Sequence, residues 1–270
     1  MPRVAVVGNF SRDVVDGGAP TPGGGPCFAA EAFRRLGGAS QIVSRFAERD
    51  RDLFQPVLET PGVELTLLPA ETTTGFTMSY DGERRSMDVT ALGESWRIEE
   101  AAALAEDVAW VHVAPLLRDD FPPAVLAALA TGRRLSLDGQ GLTRRRELGP
   151  LVRDAGFDPE VLASVTALKL SEEEARIVAG RRFDAEAAAA LGVPEILVTL
   201  GSDGVIVFAG DDEAHVPARP VPGVHTTGAG DTFMVGYASA RSTGRGPVES
   251  AALGCELVTD VLESRRKGRQ

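Results

Sequence analysis

The sequence predicts an α/β protein built on a mostly parallel β-sheet with helices on both faces. Short apolar runs rich in valine, isoleucine and leucine alternate with segments that carry apolar residues at helical spacing, which is typical of parallel strands joined by helices. The length of 270 residues suits one sizeable domain with a large core, and the hydrophobic fraction of 43% is ordinary for a globular protein. One segment with polar–apolar alternation departs from this pattern and predicts a small separate sheet.

The predicted elements follow one another from the N-terminus. The first strand, Val4 to Gly8, ends in glycine, and a loop rich in glycine and proline leads to a helix over Cys27 to Leu36. Further strands are expected at Gln41 to Ser44, Val108 to Val113, Arg134 to Asp138, Val165 to Leu170, Ile196 to Leu200 and Val205 to Phe208. Further helices are expected at Phe121 to Ala130, Glu172 to Gly180, Ala185 to Leu191, Asp231 to Arg241 and Val248 to Glu263. A short glycine-rich turn joins the last two strands and favours a hairpin inside the sheet.

The alternating segment runs from Thr72 to Tyr80. The pair Asp81-Gly82 follows it, and a second strand pattern extends from Arg84 to Val89. An Asp-Gly pair between two such runs is a strong hairpin signal. We therefore expect a small antiparallel flap that stands off the main domain.

The charge balance and the cysteines limit the possible functions. The chain has 28 Lys and Arg against 39 Asp and Glu, a formal net charge of −11, so nucleic acid and anionic membrane surfaces are poor partners. The basic stretch from Arg265 to Arg269 is expected to be a solvated end. Cys27 and Cys255 form no metal-type pair and are expected to be free thiols in a reducing cytosol. No apolar run approaches the roughly 20 residues that span a bilayer, and we expect a soluble cytoplasmic protein.

The most informative segment is His225-Thr226-Thr227-Gly228-Ala229-Gly230-Asp231-Thr232-Phe233. Apolar residues follow at helical spacing, so a helix is expected to begin near Ala229. The first N–H groups of a helix lack intrahelical partners and its dipole is positive there, while Gly228 and Gly230 carry no side chain that would keep an anion away. Asp231 could accept the proton of an attacking hydroxyl, so the segment suits phosphoryl transfer. An aspartate that only satisfies the helix start is the alternative.

The run TTGAGDTF resembles the C-terminal signature of the ribokinase-like (PfkB-type) carbohydrate kinases, and the Walker-type loop of other nucleotide-binding proteins is absent. Other landmarks occur in that family's order: Asn9 and Asp13 after the first strand, Gly23-Gly24-Gly25-Pro26, Lys169-Leu170-Ser171-Glu172-Glu173-Glu174, and Thr199-Leu200-Gly201-Ser202-Asp203-Gly204. The resemblance spans residues 8 to 232. It implies a ribokinase-like α/β fold in which residues 1–270 form one domain, with a small β lid at about residues 10–22 and 66–91.

The resemblance also implies roles for individual residues. Asp231 would be the catalytic base, and the amides of Gly228, Ala229 and Gly230 would form the anion hole. The cofactors would be ATP and Mg²⁺, with Glu174 organising the metal through water. The nucleotide side would comprise Lys169, Ser171, Thr199, Gly201 and Gly204. The substrate side would comprise Asn9, Asp13, Gly24, Gly25, Gln140 and Arg144.

The match departs from the family pattern at two positions. Ser171 stands where the family usually has Asn, and with Glu174 it also forms a capping box, so a purely structural role stays open for both. His225 stands where many members have an Asp associated with a monovalent-cation site. Because imidazole is a poor ligand for K⁺, we expect weak or absent K⁺ activation.

The acceptor is expected to be a sugar or a polyol. The run Leu137 to Arg144 should lie at the carboxyl end of a strand, where α/β enzymes bind ligands. Within it, Gln140 and Arg144 offer hydrogen-bond donors, and the Asp-x-Gln-x-x-x-Arg pattern resembles the myo-inositol kinase branch of the family. A substrate covered in hydroxyl groups needs such paired donors and acceptors.

Other functions remain as alternatives. A nucleoside acceptor is possible because Phe10, Phe28 and Phe76 could stack on a base, and a non-catalytic sugar-binding homologue could keep the same fold. An NAD-type oxidoreductase is disfavoured, because the first strand is not followed by a Gly-x-Gly-x-x-Gly turn. A homodimer through the lid is a possible assembly, since lids of the family often pair and Phe76, Met78 and Tyr80 share one face of the hairpin.

Overall fold

A computed structural model of the chain describes residues 3–81 and 84–267. The strands are β1 (Arg3–Gly8), β2 (Ser11–Val15), β3 (Thr21–Gly23), β4 (Ser40–Arg45), β5 (Glu64–Leu68), β6 (Thr74–Asp81), β7 (Arg84–Ala91), β8 (Val108–Ala114), β9 (Arg134–Asp138), β10 (Gly149–Pro150), β11 (Ala167–Ser171), β12 (Glu195–Thr199), β13 (Val205–Ala209) and β14 (Asp212–Val216). The helices are α1 (Gly25–Leu36), α2 (Arg51–Leu58), α3 (Pro123–Ala130), α4 (Gln140–Thr143), α5 (Glu172–Ala179), α6 (Ala185–Leu191), α7 (Ala229–Ser242) and α8 (Pro247–Lys267).

The main sheet has the order β14-β13-β12-β11-β9-β8-β1-β4-β5. The strands from β12 to β5 run parallel, whereas β13 pairs antiparallel with both β12 and β14. The mostly parallel sheet and the hairpin at residues 201–204 are thus confirmed. The strand order reverses at β1, because β4 lies on one side of it and β8 on the other. A crevice for ligands is expected at the carboxyl ends of strands where the order reverses.

Helices cover both faces of the main sheet, as the sequence predicted. On one face, α1, α7 and α8 bury apolar side chains of the strands, among them Val6 and Trp110. On the other face, α3, α5 and α6 contribute to a second cluster that contains Val7 and Leu137. Because consecutive residues of a strand point to opposite faces, Val6 and Val7 belong to different clusters. Over the described part of the chain, no helix is long and apolar enough to cross a bilayer.

A second sheet, which we call the accessory sheet, has the order β10-β7-β6-β2-β3. Its β6 and β7 pair antiparallel, as the sequence predicted, while Gly82 of the predicted turn lies outside the described residues. The boundaries of the predicted lid need two corrections. Residues 66–68 belong to β5, which pairs with β4 in the main sheet, so the second segment of the accessory sheet begins at Thr74. It also includes β10, which is too short to give a sequence pattern.

The apolar face of the β6–β7 hairpin is turned towards the protein itself. Phe76 and Met78 are 3% and 6% exposed. Phe76 packs against Leu116 and Leu117, which follow β8 of the main sheet. Phe76 thus helps to attach the accessory sheet to the main domain, and because Phe76 and Met78 are both buried within the protomer they cannot line a contact between subunits.

Candidate active site

The predicted site residues lie where parallel strands of the main sheet end. Gln140 follows β9, Ser171 ends β11 two residues after Lys169, Thr199 ends β12, and Asn9 follows β1. Carboxyl ends of parallel strands meet at one edge of a sheet. The fold therefore gathers residues that are up to 190 positions apart in the sequence at one crevice.

The start of α7 has the geometry that the glycines predicted. Gly228 is the N-cap and has φ of 78°, in the left-handed region that favours glycine. The helix begins at Ala229, as predicted, and the Thr232 N–H donates to the Gly228 carbonyl at 2.9 Å. The Ala229 N–H donates to the Thr226 carbonyl at 2.9 Å. Because this turn uses the Ala229 amide, the predicted anion hole is reduced to the amides of Gly228 and Gly230.

Asp231 lies in the first turn of α7 and faces the predicted substrate side. A Cβ added to Gly25 would lie 2.7 Å from Oδ1 of Asp231, so the carboxylate rests against the backbone at the start of α1. Burial raises the pKa of Asp231 to about 7, the Asp138 carboxylate raises it as well, and Lys169 and Arg144 oppose them. A carboxylate with a pKa near neutrality has the basicity that suits a general base.

Lys169 lies next to the start of α7, beside the predicted anion hole. Its Nζ lies 3.1 Å from Oδ2 of Asp138 and 3.9 Å from Oε2 of Glu174, and a Cβ added to Gly230 would lie 3.1 Å from Nζ. Burial alone would lower the pKa of Lys169, but Asp138, Glu174 and Asp231 outweigh it and hold the pKa above its usual range. The ammonium is thus charged, buried, and in contact with the helix start.

Asp138 is part of this cluster, although the sequence prediction did not include it as a site residue. Its carboxylate is 1% exposed and accepts hydrogen bonds from Lys169 and from the Gln140 N–H. Burial favours the neutral acid, but Lys169 and the Gln140 N–H outweigh burial and lower the pKa of Asp138. An acidic residue at the end of a predicted buried strand was the signal that could have identified it.

Ser171 and Glu174 form the capping box that the sequence predicted. The Glu174 N–H donates to Oγ of Ser171 at 3.2 Å, and the Ser171 N–H donates to Oε2 of Glu174 at 2.8 Å. Among residues 3–81 and 84–267, no three His, Cys, Asp or Glu side chains come together as a metal site. A metal cage made only of protein does not fit, whereas Mg²⁺ carried by donor phosphates and steadied through one carboxylate such as Glu174 does.

A cavity of about 430 Å³ extends from the start of α7 towards β12 and α8. Its lining includes Ala229 and Gly230 together with Thr199, Gly201 and Gly204. Its walls include apolar side chains, namely Val221, Phe233, Cys255, Val258 and Leu262. The structure therefore joins three of the five residues predicted for the nucleotide side to the predicted anion hole through one cavity.

On the substrate side, Asp13 lies on β2 of the accessory sheet. A Cβ added to Gly23 would overlap its carboxylate, which explains the need for glycine there. Burial raises the pKa of the Cys27 thiol to about 12, and the carboxylates of Asp13 and Asp231 contribute to the rise. Both carboxylates therefore lie near the first turn of α1, although Asp13 belongs to strand β2 and Asp231 to helix α7.

Asn9 does not offer its side chain to the crevice. It is 2% exposed, its Oδ1 accepts a hydrogen bond from Nε1 of Trp96 at 2.8 Å, and its Nδ2 donates to the Glu94 carbonyl at 3.3 Å. A Cβ added to Gly24, whose φ is 89°, would lie 2.5 Å from the Asn9 carbonyl oxygen. The structure thus corrects the prediction that Asn9 binds substrate: its amide holds the end of β1 against Trp96, and its backbone packs against Gly24.

Gln140 is the first residue of the short helix α4 and Arg144 is its C-cap, and both side chains are half-buried. Arg144 is near enough to Asp231 to lower the pKa of that carboxyl. The end of α4 and the segment after it are held by Arg118, which donates to the carbonyls of Leu142 and Thr143 and to Oδ1 of Asp154. Sequence reasoning missed Arg118, because nothing in its neighbourhood marks an arginine that binds a distant loop.

The family model of the pfkB family carbohydrate kinases matches residues 14–264, a span that contains most of the accessory sheet, the charged cluster around Lys169 and the start of α7. The chain belongs to this family. A pfkB kinase is a phosphotransferase with an alcohol group as acceptor, and the ribokinase-like fold inferred from the sequence landmarks is confirmed.

Curated pfkB relatives resemble the chain over most of its length. The fructokinase of Escherichia coli is 27% identical over 277 residues, which cover 92% of this chain and 82% of that protein. The aminoimidazole riboside kinase of Salmonella typhimurium is 27% identical over 255 residues, which cover 87% of this chain and 80% of that protein.

Solved structures of ribokinase-family kinases share the fold. A pyrophosphate-dependent kinase in the ribokinase family, complexed with a pyrophosphate analog and myo-inositol, superposes with a TM-score of 0.84 at 22% identity, covering 96% of this chain and 95% of that one. Ribokinase from Arabidopsis thaliana, complexed with ribose and ATP, superposes with a TM-score of 0.66 at 19% identity, covering 97% and 99%.

Proposed function

We propose that this pfkB kinase transfers the γ-phosphoryl group of ATP to a hydroxyl group of a sugar or polyol, with Asp231 as general base. The observation that carries the proposal is the position of the Asp231 carboxylate. It stands in the first turn of α7, beside the amides of Gly228 and Gly230, and its Oδ1 faces Gly25 on the acceptor side. A base between an anion-binding helix start and an acceptor pocket has the arrangement that phosphoryl transfer requires.

The surrounding charges support this chemistry. With a pKa of about 7, Asp231 can take the proton of the attacking hydroxyl near neutral pH and remain a carboxylate before the reaction. The Lys169 ammonium, in contact with Gly230, offsets negative charge of the transferring phosphoryl group. Mg²⁺ bound with the donor would supply further neutralisation of phosphate charge, and Glu174 is the residue that would hold it through water. The accessory sheet would act as the lid that excludes water.

The cavity beyond the anion hole supports ATP as the donor. Its walls include apolar side chains such as Phe233 and Leu262, and its volume of about 430 Å³ suits a nucleoside. Inorganic pyrophosphate would fill only part of this cavity. Pyrophosphate is nevertheless the second candidate, because a pyrophosphate-dependent kinase shares the fold with a TM-score of 0.84.

The acceptor side supports a sugar or polyol rather than a nucleoside. Asp13, Gln140 and Arg144 supply polar groups there, and such groups suit a ring covered in hydroxyls. Phe10 is completely buried against Phe46 and Phe54. Phe76 is buried as well, so neither of these rings can stack on a base. Because an aminoimidazole riboside kinase is 27% identical to this chain, nucleosides are included among the acceptors of the experiment below.

The experiment is a coupled screen over inositols, hexoses, pentoses and nucleosides. ADP release is followed with Mg²⁺·ATP, and a parallel series follows orthophosphate release with Mg²⁺·pyrophosphate, each with Asp231→Asn as the matched inactive control. We expect ADP release with a polyol or sugar. Turnover only with nucleosides would contradict the proposed sugar or polyol acceptor. Turnover only with pyrophosphate would contradict ATP as the donor. Donor binding without turnover on any acceptor would favour the non-catalytic homologue.

A homodimer through the accessory sheet remains part of the prediction. Since Phe76 and Met78 are buried within the protomer, the contact would have to use the opposite face or the edge of that sheet. Light scattering over a concentration series measures the mass of the assembly, and a 28.4 kDa species at all concentrations would contradict the dimer.

A further inference from the structure

The last turn of α8 is tied to the loop that leads into the anion hole. The sequence placed Arg265 in a solvated basic end, but the structure shows a half-buried side chain whose three guanidinium nitrogens all donate. Nε and Nη2 donate to Oε2 of Glu31 at 3.1 and 2.7 Å, and Nη1 donates to the Thr227 carbonyl at 2.8 Å. The guanidinium also lies 5.8 Å from the centre of the Phe28 ring. Arg265 thus connects α8, α1 and the loop before α7.

The loop is fixed from the α1 side as well. A Cβ added to Gly228 would overlap the Phe28 ring, so the loop backbone lies directly on that ring. The ring in turn lies beside the Arg265 guanidinium, whose orientation is set by the Glu31 carboxylate. The position of the Gly228 backbone is therefore determined by contacts with two helices that are far apart in the sequence.

The bond to the Thr227 carbonyl has a direct geometric consequence for the next amide. The carbonyl of Thr227 and the N–H of Gly228 belong to the same peptide unit, which is planar and, in its trans form, directs the two groups to opposite sides. A donor that holds the carbonyl on one side therefore aims the N–H to the other side. A charged donor also polarises the peptide unit and strengthens that N–H as a donor.

We propose that Arg265 is a positioning residue for phosphoryl transfer: by holding the Thr227 carbonyl, it orients and polarises the Gly228 N–H that contributes to the anion hole. The inference rests on the proposed function for its kinetic consequence only. The orientation of the loop by Arg265 is a property of the fold, and it can be measured whether or not the chain turns over a given sugar.

The first test needs no substrate. Hydrogen exchange followed by mass spectrometry compares the wild type with Arg265→Ala and with the control Arg266→Ala, which alters the exposed neighbouring residue. In Arg265→Ala, we expect exchange in peptides covering residues 226–230 to be faster by roughly 10-fold or more, because the loop opens locally, while peptides from β11 and β12 keep wild-type rates. Unchanged exchange at 226–230 in a folded Arg265→Ala protein would overturn the proposal.

The second test is kinetic. Arg265→Ala should lose roughly 10–100-fold in kcat, less than the loss of a whole anion-hole donor, because the amide is misdirected and not removed. Its KM for the acceptor should stay within about 2-fold of the wild type, since the acceptor lies on the other side of Asp231. Added guanidinium should restore part of the lost kcat, while equal concentrations of urea or NaCl should not. Arg265→Lys, which keeps a charge and can still bind the carbonyl, should be intermediate.

Two outcomes separate this inference from the proposed function. If Arg265→Ala and Arg265→Lys both turn over at the wild-type rate, Arg265 is only an anchor for α8 and the proposal is wrong. If the wild type transfers no phosphoryl group to any acceptor, the proposed function fails, and the exchange experiment alone decides the role of Arg265. Should Arg265→Ala not fold, Arg265→Lys and Glu31→Gln give the same comparison, and wild-type exchange at 226–230 in both would count against the proposal.

Discussion

Lys169 and Asp138 form a buried ion pair in which Nζ lies 3.1 Å from Oδ2 of the carboxylate. The pair stands at the ends of neighbouring parallel strands β11 and β9, and Asp231 is close enough to raise the pKa of Lys169 further. Burying a single ammonium here would be costly, so the carboxylates are what keep it charged. A charged ammonium, paired with the Asp138 carboxylate, therefore lies beside the start of α7, where the anion hole is proposed.

We predict that Lys169→Met loses at least roughly 100-fold in kcat, because it removes a charge at the transferring group. The variant should also unfold more easily, by about 3–5 kcal/mol, since Asp138 would be left buried without its partner. Steady-state kinetics and denaturant unfolding measure the two effects. Lys267→Met, at the exposed end of α8, is the matched control.

A double variant separates stability from chemistry. Lys169→Met combined with Asp138→Leu removes both buried charges and should recover much of the lost stability. It should not recover activity, because the positive charge beside Gly230 is still missing. A double variant with wild-type turnover would show that the ion pair serves only to hold β9 and β11 together.

We predict that Asp231→Asn loses roughly 10²–10⁴-fold in kcat, the usual contribution of a general base. Binding of ATP, followed by calorimetry, should remain close to that of the wild type, because the amide side chain keeps the shape of the helix start. Unchanged turnover would remove Asp231 from the mechanism.

The same substitution should change the dependence of stability on pH. Burial raises the pKa of Asp231 to about 7 in the folded protein, against about 3.9 in an unfolded chain. The ionised carboxylate therefore destabilises the fold, and this effect is absent below about pH 4 and complete above about pH 7. Asp231→Asn should melt higher than the wild type at pH 8 and at the same temperature as the wild type near pH 4. The same difference in melting temperature between Asp231→Asn and the wild type at pH 4 and at pH 8 would contradict the raised pKa.

The pH profile of turnover follows from the same group. Since the base must be deprotonated, kcat/KM should fall as the pH decreases below about 7, with a tenfold change per pH unit, and should level off above it. The residual kcat/KM of Asp231→Asn should not show this fall at low pH. A profile that is flat between pH 5 and pH 8 would show that no group with the pKa of Asp231 limits the reaction.

Glu174→Gln tests the metal role against the capping role. We expect it to raise the Mg²⁺ concentration needed for half-maximal activity more than it raises the KM for the acceptor. Ser171→Ala is the matched control, because it removes the other half of the capping box, at a cost of about 1 kcal/mol in stability, and leaves the carboxylate in place. Superimposable Mg²⁺ titrations of Glu174→Gln and the wild type would leave Glu174 as a cap only.

We predict equal activity in Na⁺, K⁺ and choline buffers. His225 is exposed and offers only an imidazole to a cation. The Thr227 carbonyl in the same loop already accepts a hydrogen bond from Arg265. The Arg265 guanidinium therefore occupies the place at this carbonyl that a K⁺ ion from solution could fill. A strong requirement for K⁺ would defeat this prediction.

Local sequence signals identified the elements and the chemistry of their ends. Apolar periodicity found the parallel strands except β5, the Gly-x-Gly-Asp segment found the start of α7, and the Ser-x-x-Glu spacing found the cap of α5. These features depend on residues within one or two turns of each other, so the sequence alone determines them.

Only the tertiary structure decided which side chains are accessible and which charges meet. The sequence predicted that Asn9 binds substrate, but its side chain accepts a hydrogen bond from Trp96. The sequence placed Arg265 in a solvated end, but its side chain donates to the Thr227 carbonyl. Asp138 joins Lys169 across 31 positions, and no local pattern records that distance in space. The physical reason is that burial and electrostatic interactions depend on what the fold brings together, and local spacing in the sequence specifies only the surroundings within a strand, a turn or a helix.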